Sequence, residues 1–215
     1  MKKFIILVIS VFFVCSVSIA QKMDLKLAEA NKMANTSLPT FRKLVNQANF
    51  QKMGFRSLAE VKDASLGQPL SFYRIQLDEL KNFKPGGDPA MLVHFGDRVF
   101  YPIMVNNEIK SSMQMDKSAD KWEVSSYGGA NRMKLFSDAI ARLSANRANA
   151  GMEYQVVAIQ SMNLYFIGMQ KDNKLYLTPV LDDETYGLKA GETVAADALL
   201  PRLAEMAAQL KDVPR

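Results

Sequence analysis

The stretch that decides the fold runs from Arg98 to Leu143: RVFYPIMVNNEIKSSMQMDKSADKWEVSSYGGANRMKLFSDAIARL. Two runs, Val99 to Val105 and Glu108 to Met115, flank Asn106-Asn107. Asparagine tolerates the positive φ of a tight hairpin turn, so the pair predicts a β-hairpin. Pairing Met104 with Ile109 sets Pro102 opposite Ser111 and Phe100 opposite Met113. Alternation along the strands then puts Phe100, Met104, Ile109, Met113 and Met115 on one face, with Glu108, Lys110, Ser112 and Gln114 on the other. Pro102 has no N–H for a ladder, which places its strand at an edge or turns that position outward. Lys121-Trp122-Glu123-Val124 alternates in the same way and predicts a third strand. Gly128-Gly129 allows a sharp turn, and Asn131 is the expected N-cap of a helix. Met133, Phe136, Ile140 and Leu143 recur at helical spacing, giving that helix one apolar stripe to bury on the meander.

Upstream, Gln21 to Phe50 is helix-prone. Leu38-Pro39 divides it into two helices, with Pro39 in the first turn of the second. The stripe of the first is narrow, so it is expected to attach loosely. Ser57-Leu58-Ala59-Glu60 is a capping box opening a short helix, and Leu70 to Leu77 follows as a strand. Lys84-Pro85-Gly86-Gly87-Asp88-Pro89 is a strong loop signal, after which Ala90 to Phe95 predicts a strand. Downstream, Glu153–Gln160, Asn163–Gln170 and Lys174–Leu181 form a second meander, and Thr193 to Leu210 closes the chain as a helix. The expected fold class is α+β: an antiparallel sheet, or sheets, of about six to seven strands with helices packed on one face, in two helix-plus-meander units.

Gly54-Phe55, Ser57-Leu58, Glu60, Ala64, Leu66-Gly67, Pro69 and Tyr73-Arg74-Ile75 resemble a pattern in uncharacterised secreted bacterial proteins. These positions are caps, turns and a strand start. The resemblance therefore implies an exported α+β domain and transfers no functional residue. The layout is also similar to small extracytoplasmic α+β folds such as the cystatin-like group, a likeness of fold alone.

The first residues point the same way. Lys2 and Lys3 precede an uncharged run from Phe4 to Val17, and Ser18-Ile19-Ala20 fits the small-x-small rule, so residues 1–20 are expected to be a signal peptide cleaved after Ala20. The competing reading, a signal anchor, needs an apolar run of roughly 20 residues, and this one is shorter. Cys15 lacks the small neighbours of a lipoprotein cleavage site. The remainder divides into a helical segment, 21–53, and an α+β domain, 54–215, with sub-units 54–129 and 130–215. Cys15 is the only cysteine, so the processed chain holds no disulfide and must rely on a packed core. The chain carries 27 basic and 22 acidic residues. Without Lys2 and Lys3 the balance is 25 to 22, and no basic block or stripe points to nucleic acid.

Chemistry enters mostly as exclusions. Without a cysteine beyond residue 20 there is no thiolate catalysis or thiolate metal site. One histidine, His94, excludes two-histidine zinc sites. No P-loop, no GxGxxG after a strand and no GxSxG elbow occurs. His94 reads as a strand residue with its polar tip at a sheet edge. Asp182-Asp183-Glu184 lacks the alternating spacing of a calcium loop and reads as a solvated turn. Met113 and Met115 would be the thioethers of a Cu(I) site, but sharing a face with Phe100 and Ile109 fits core packing better. Lys110 beside Ser111-Ser112 is the one local hint of Ser/Lys hydrolysis, and a carboxylate pair brought together by the fold is the other hydrolytic alternative. Trp122, Tyr127, Gly128 and Gly129 remain as candidates for a contact surface, the diglycine by offering backbone N–H groups at a helix start. The expectation is thus a non-enzymatic exported module, without cofactor or membrane span in the processed chain. It would bind a protein, peptide or envelope component through a sheet face or edge strand, as an inhibitor in one version.

Overall fold

The structure is a computed structural model that describes residues 9–210, with side chains from residue 27 onward. Residues 1–8 of the expected signal peptide, and 211–215 of the expected 54–215 domain, lie outside the described residues. The elements are α1 (Ile9–Leu44), α2 (Leu58–Lys62), β1 (Ser65–Leu66), β2 (Leu70–Arg74), α3 (Leu77–Lys81), β3 (His94–Val105), β4 (Glu108–Ser118) and β5 (Lys121–Tyr127). They continue as α4 (Ala130–Ser144), β6 (Tyr154–Ile159), β7 (Leu164–Lys171), β8 (Lys174–Pro179), β9 (Val194–Ala195) and α5 (Ala196–Ala208). This is the expected α+β class. The strands form a single sheet of nine in the order β5-β4-β3-β2-β6-β7-β8-β9, with β1 paired to β3. The sheet is antiparallel except where β2 and β6 run parallel at its centre. Two meanders therefore lie back to back and run outward to β5 and to β9.

Helices cover both faces of the sheet, not one. Val99, Tyr101, Ile103, Met113, Met115 and Trp122 meet Ala30, Ala34 and Phe41 of α1. On the same face, Val157, Ile159, Phe166 and Leu177 pack on Leu199, Leu200 and Leu203 of α5. Phe72, Phe100, Val156, Ala158 and Ile167 point the other way, against Met133, Phe136 and Leu143 of α4. A strand covered on both faces needs apolar residues at successive positions, which Tyr101 to Val105 and Val156 to Ile159 supply.

Turn chemistry follows the sequence. Asn106 and Asn107 take φ values of 50° and 62°, and Asp172 and Asn173 take 51° and 58°, the left-handed pairs of tight hairpins. The hairpin register differs from the simple expectation. Met104 does pair with Ile109, but Ile103 pairs with Ser111 and Phe100 with Gln114. Lys110 is thus the extra residue of a β-bulge, which reverses every later face assignment on β4. Met113 and Met115 face α1, whereas Phe100 faces α4. Pro102 sits within an internal strand, and the Gly67 N–H bonds to its carbonyl at 2.8 Å.

The N-terminal helices merge. Pro39 lies inside the continuous α1 because Ala34, Leu38 and Phe41 extend one packed row past it, and tertiary burial outweighs the missing N–H. The loosely attached helix expected here is instead anchored. Tyr101 Oη donates to Asn31 Oδ1 at 2.8 Å, and Arg42 donates to the Ala64 carbonyl. The Ser57 cap forms, its Oγ accepting from the Glu60 N–H. The α4 N-cap is Gly129, with φ 74°, and not Asn131. Among the described residues, no helix is long and apolar enough to cross a membrane.

Candidate binding groove at the free sheet edge

The last strand of the first meander, β5, ends the sheet. An end strand leaves alternate N–H and C=O groups without ladder partners, which is a template for another strand. β5 carries a bulge at Ser125, whose Oγ is shared with Gln114. Its remaining residues stay extended from Lys121 to Val124. Trp122 and Val124 join the α1-face cluster, and Lys121 and Glu123 are exposed.

Alongside this edge, α1 presents Glu29, Met33, Ser37 and Thr40, a row at helical spacing. Between that row and Asp120, Lys121, Trp122, Glu123, Val124 and Tyr127 lies a groove of 560 Å³. Its floor is rigid. Trp122 is only 3% exposed and sets its ring edge-on to Phe95. Tyr127 packs on Phe41 with ring centres 5.1 Å apart, and its Oη donates to the Ser37 carbonyl at 3.5 Å. Burial raises the Tyr127 phenol above its ordinary pKa, so the hydroxyl stays a donor. Met33, 41% exposed, is the apolar lip. Glu29, Asp120 and Glu123 are the acidic residues of the lining, and Lys121 is its one base. Lys117 Nζ stands 3.6 Å from the Asp120 carboxylate.

The residues singled out in the sequence separate in space. Trp122 and Tyr127 share the groove, Trp122 as buried floor and not as an exposed anchor. Tyr127 also borders a second hollow of 350 Å³ with Gly128, Gly129, Ser112, Gln114 and Arg132. There the diglycine turn is pinned to β4. The Gly128 N–H donates to the Ser112 carbonyl at 2.9 Å, and Ser112 Oγ donates to the Gly128 carbonyl. The α1 row was missed because its outer residues look, in sequence, like any solvated helix face. Only the sheet order shows that they border a strand edge.

The chemical alternatives find less support. Met113 and Met115 are both fully buried among Val99, Tyr101 and Ile103, so their sulfurs are core. Lys110 is 4% exposed; its Nζ donates to Glu108 Oε2 at 2.8 Å and lies 3.8 Å from Glu60 Oε1. That hydrogen bond, with the nearby Arg56 charge, lowers the Glu108 carboxyl pKa. Lys110 Nζ is thus engaged by two carboxylates, and neither Ser111 nor Ser112 hydrogen-bonds to it. His94 Nε2 meets Glu79 Oε2 at 2.7 Å at the start of β3. Asp182 and Asp183 accept from the Ala190 and Tyr186 N–H groups, as turn residues do. Among the described residues, no three His, Cys, Asp or Glu side chains converge to hold a metal ion. Comparison with known proteins finds no matching family model, no similar curated protein and no similar solved structure.

Proposed function

We propose that this chain is a non-enzymatic binding module that takes an extended peptide segment of a partner protein as an added strand on β5, bordered by α1. The observation that supports this reading most directly is the free edge of β5 facing the Glu29–Met33–Ser37–Thr40 row across a groove. In strand addition, main-chain bonds supply affinity and the flanking wall reads alternate side chains. Here the wall is apolar at Met33, Val124 and Tyr127 and acidic at Glu29, Asp120 and Glu123, which favours a strand alternating basic and apolar residues. An exported setting belongs to this reading. Its basis is the sequence: Lys2 and Lys3, the uncharged run from Phe4 to Val17 and Ser18-Ile19-Ala20.

The test uses two synthetic octapeptides, one alternating lysine with valine and one alternating glutamate with valine. The basic peptide is expected to bind at least tenfold more tightly and to slow amide exchange along β5. The double variant Glu29→Lys/Glu123→Lys is expected to reverse the preference. Equal binding of the two peptides, or protection on any other strand, would refute the reading. For export, the full chain made in a bacterium should appear outside the cytoplasm beginning at Gln21; an unprocessed cytoplasmic product argues against it.

A further inference from the structure

A separate cleft of 330 Å³ opens on the opposite face of the sheet, between α4, the start of β7 and the chain leaving β8. Its volume sits at the lower end of the roughly 300–1,000 Å³ range of small-molecule sites. Phe136, Leu164 and Val180, each at most 4% exposed, form its floor. Leu135 and Leu181 form its walls and are 39% and 58% exposed. Two large apolar side chains held out to solvent on one cleft constitute unburied area that an apolar ligand would cover.

The lining holds one cation, Arg132. The Arg132 guanidinium lies over the Tyr165 ring, 5.7 Å from its centre, and forms no ion pair among the described residues. It also occupies the first turn of α4, which contains no acidic residue. A cation there opposes the helix dipole, and its missing counter-charge is an anion. The lining also carries Asp182 and Asp183. Each already holds a main-chain N–H of its own turn, from Ala190 and Tyr186. That leaves Arg132 as the lining's group for an anion.

We propose that this cleft binds a small amphiphile with one carboxylate, its head on Arg132 and its aliphatic chain over Leu135, Phe136 and Leu181. The inference is independent of the β5 groove. The experiment uses the full chain with methyl-labelled leucines and three ligands of one length: octanoate, octanol and octylammonium. Octanoate is expected to shift the Leu135 and Leu181 methyls and to bind at least tenfold more tightly than the other two. Arg132→Gln, an exposed substitution, should weaken octanoate at least tenfold and leave octanol unchanged; Arg132→Lys should recover part of the loss. The proposal is overturned if octanoate does not bind, if its shifts fall elsewhere, if octanol or octylammonium binds equally well, or if Arg132→Gln leaves octanoate binding unchanged.

Discussion

Phe41→Ala tests whether α1 is an integral wall of the domain. Phe41 has no exposed surface, and its ring lies 5.9 Å from Phe55 and 5.1 Å from Tyr127. Truncating a fully buried phenylalanine costs about 3–5 kcal/mol through lost transfer energy and the cavity left behind. The ring–ring contributions, roughly 1 kcal/mol each, fall within that range and are not added to it. At about 2–4 °C per kcal/mol for a chain of this size, the melting temperature should fall by about 6–20 °C. Urea unfolding followed by circular dichroism measures the change, with Leu44→Ala as control. Leu44 is 51% exposed, so its loss should stay within about 0.5 kcal/mol. A narrow stripe on a loosely held helix would make the two substitutions alike. A Phe41→Ala loss below about 1 kcal/mol would therefore refute the packed-wall argument and remove one side of the β5 groove.

Gly54→Ala should cost at least about 2 kcal/mol, because φ is 91° and an added Cβ would lie 1.9 Å from the Lys110 carbonyl oxygen; near-wild-type stability in urea would contradict that backbone approach. At Asp116, burial raises the carboxyl pKa, but hydrogen bonds from Arg98 and Gln114 more than offset it and the net shift is downward. A depressed folded pKa gives stability that is present above the unfolded value and lost as pH falls through the folded one. Arg98→Met should accordingly cost about 1–2 kcal/mol at neutral pH, with the gap to wild type closing from roughly pH 4 downward; a pH-independent gap would refute the assignment. Dilute peroxide should oxidise Met91, 74% exposed, and Met33 well before the fully buried Met113 and Met115, and peptide mass mapping that finds all four reacting alike would place those two sulfurs outside the core.

Legibility followed the range of the interaction. The hairpin turn at Asn106-Asn107 was readable because a two-residue turn imposes its own backbone requirement. The Ser57 cap was readable for the same reason. The bulge at Lys110 was not, since nothing local to Ile109-Lys110-Ser111 announces it. It is held by Glu60 and Glu108 and by the tight approach of Gly54, more than fifty residues upstream. One unseen residue reversed the faces of Met113 and Met115, because strand periodicity is two. Pro39 misled in the same manner: its local rule is real, but burial of Ala34, Leu38 and Phe41 on the sheet overrides it. Of the site, Trp122 and Tyr127 were visible as aromatics at a strand end. Their partner row on α1 was not, because adjacency to an edge is a property of sheet order.

That order also explains why one edge and not the other is available. Both meanders begin at the central parallel pair, β2 and β6, so each must finish at an outer edge. At the far edge β9 has only two residues, Val194 and Ala195, before the chain turns into α5. A strand that short offers no run of main-chain groups for augmentation. β5 has seven residues and passes through Gly128-Gly129 into α4, which packs on the other face, while α1 stands beside the edge on the near face. Charge at Lys121 and Glu123 and the bulge at Ser125 are the devices that keep an exposed edge from pairing with copies of itself. Lys121 and Glu123 also border the groove, beside Trp122, Val124 and the α1 row, so an added strand is accepted only if its side chains complement Met33 and the acidic rim.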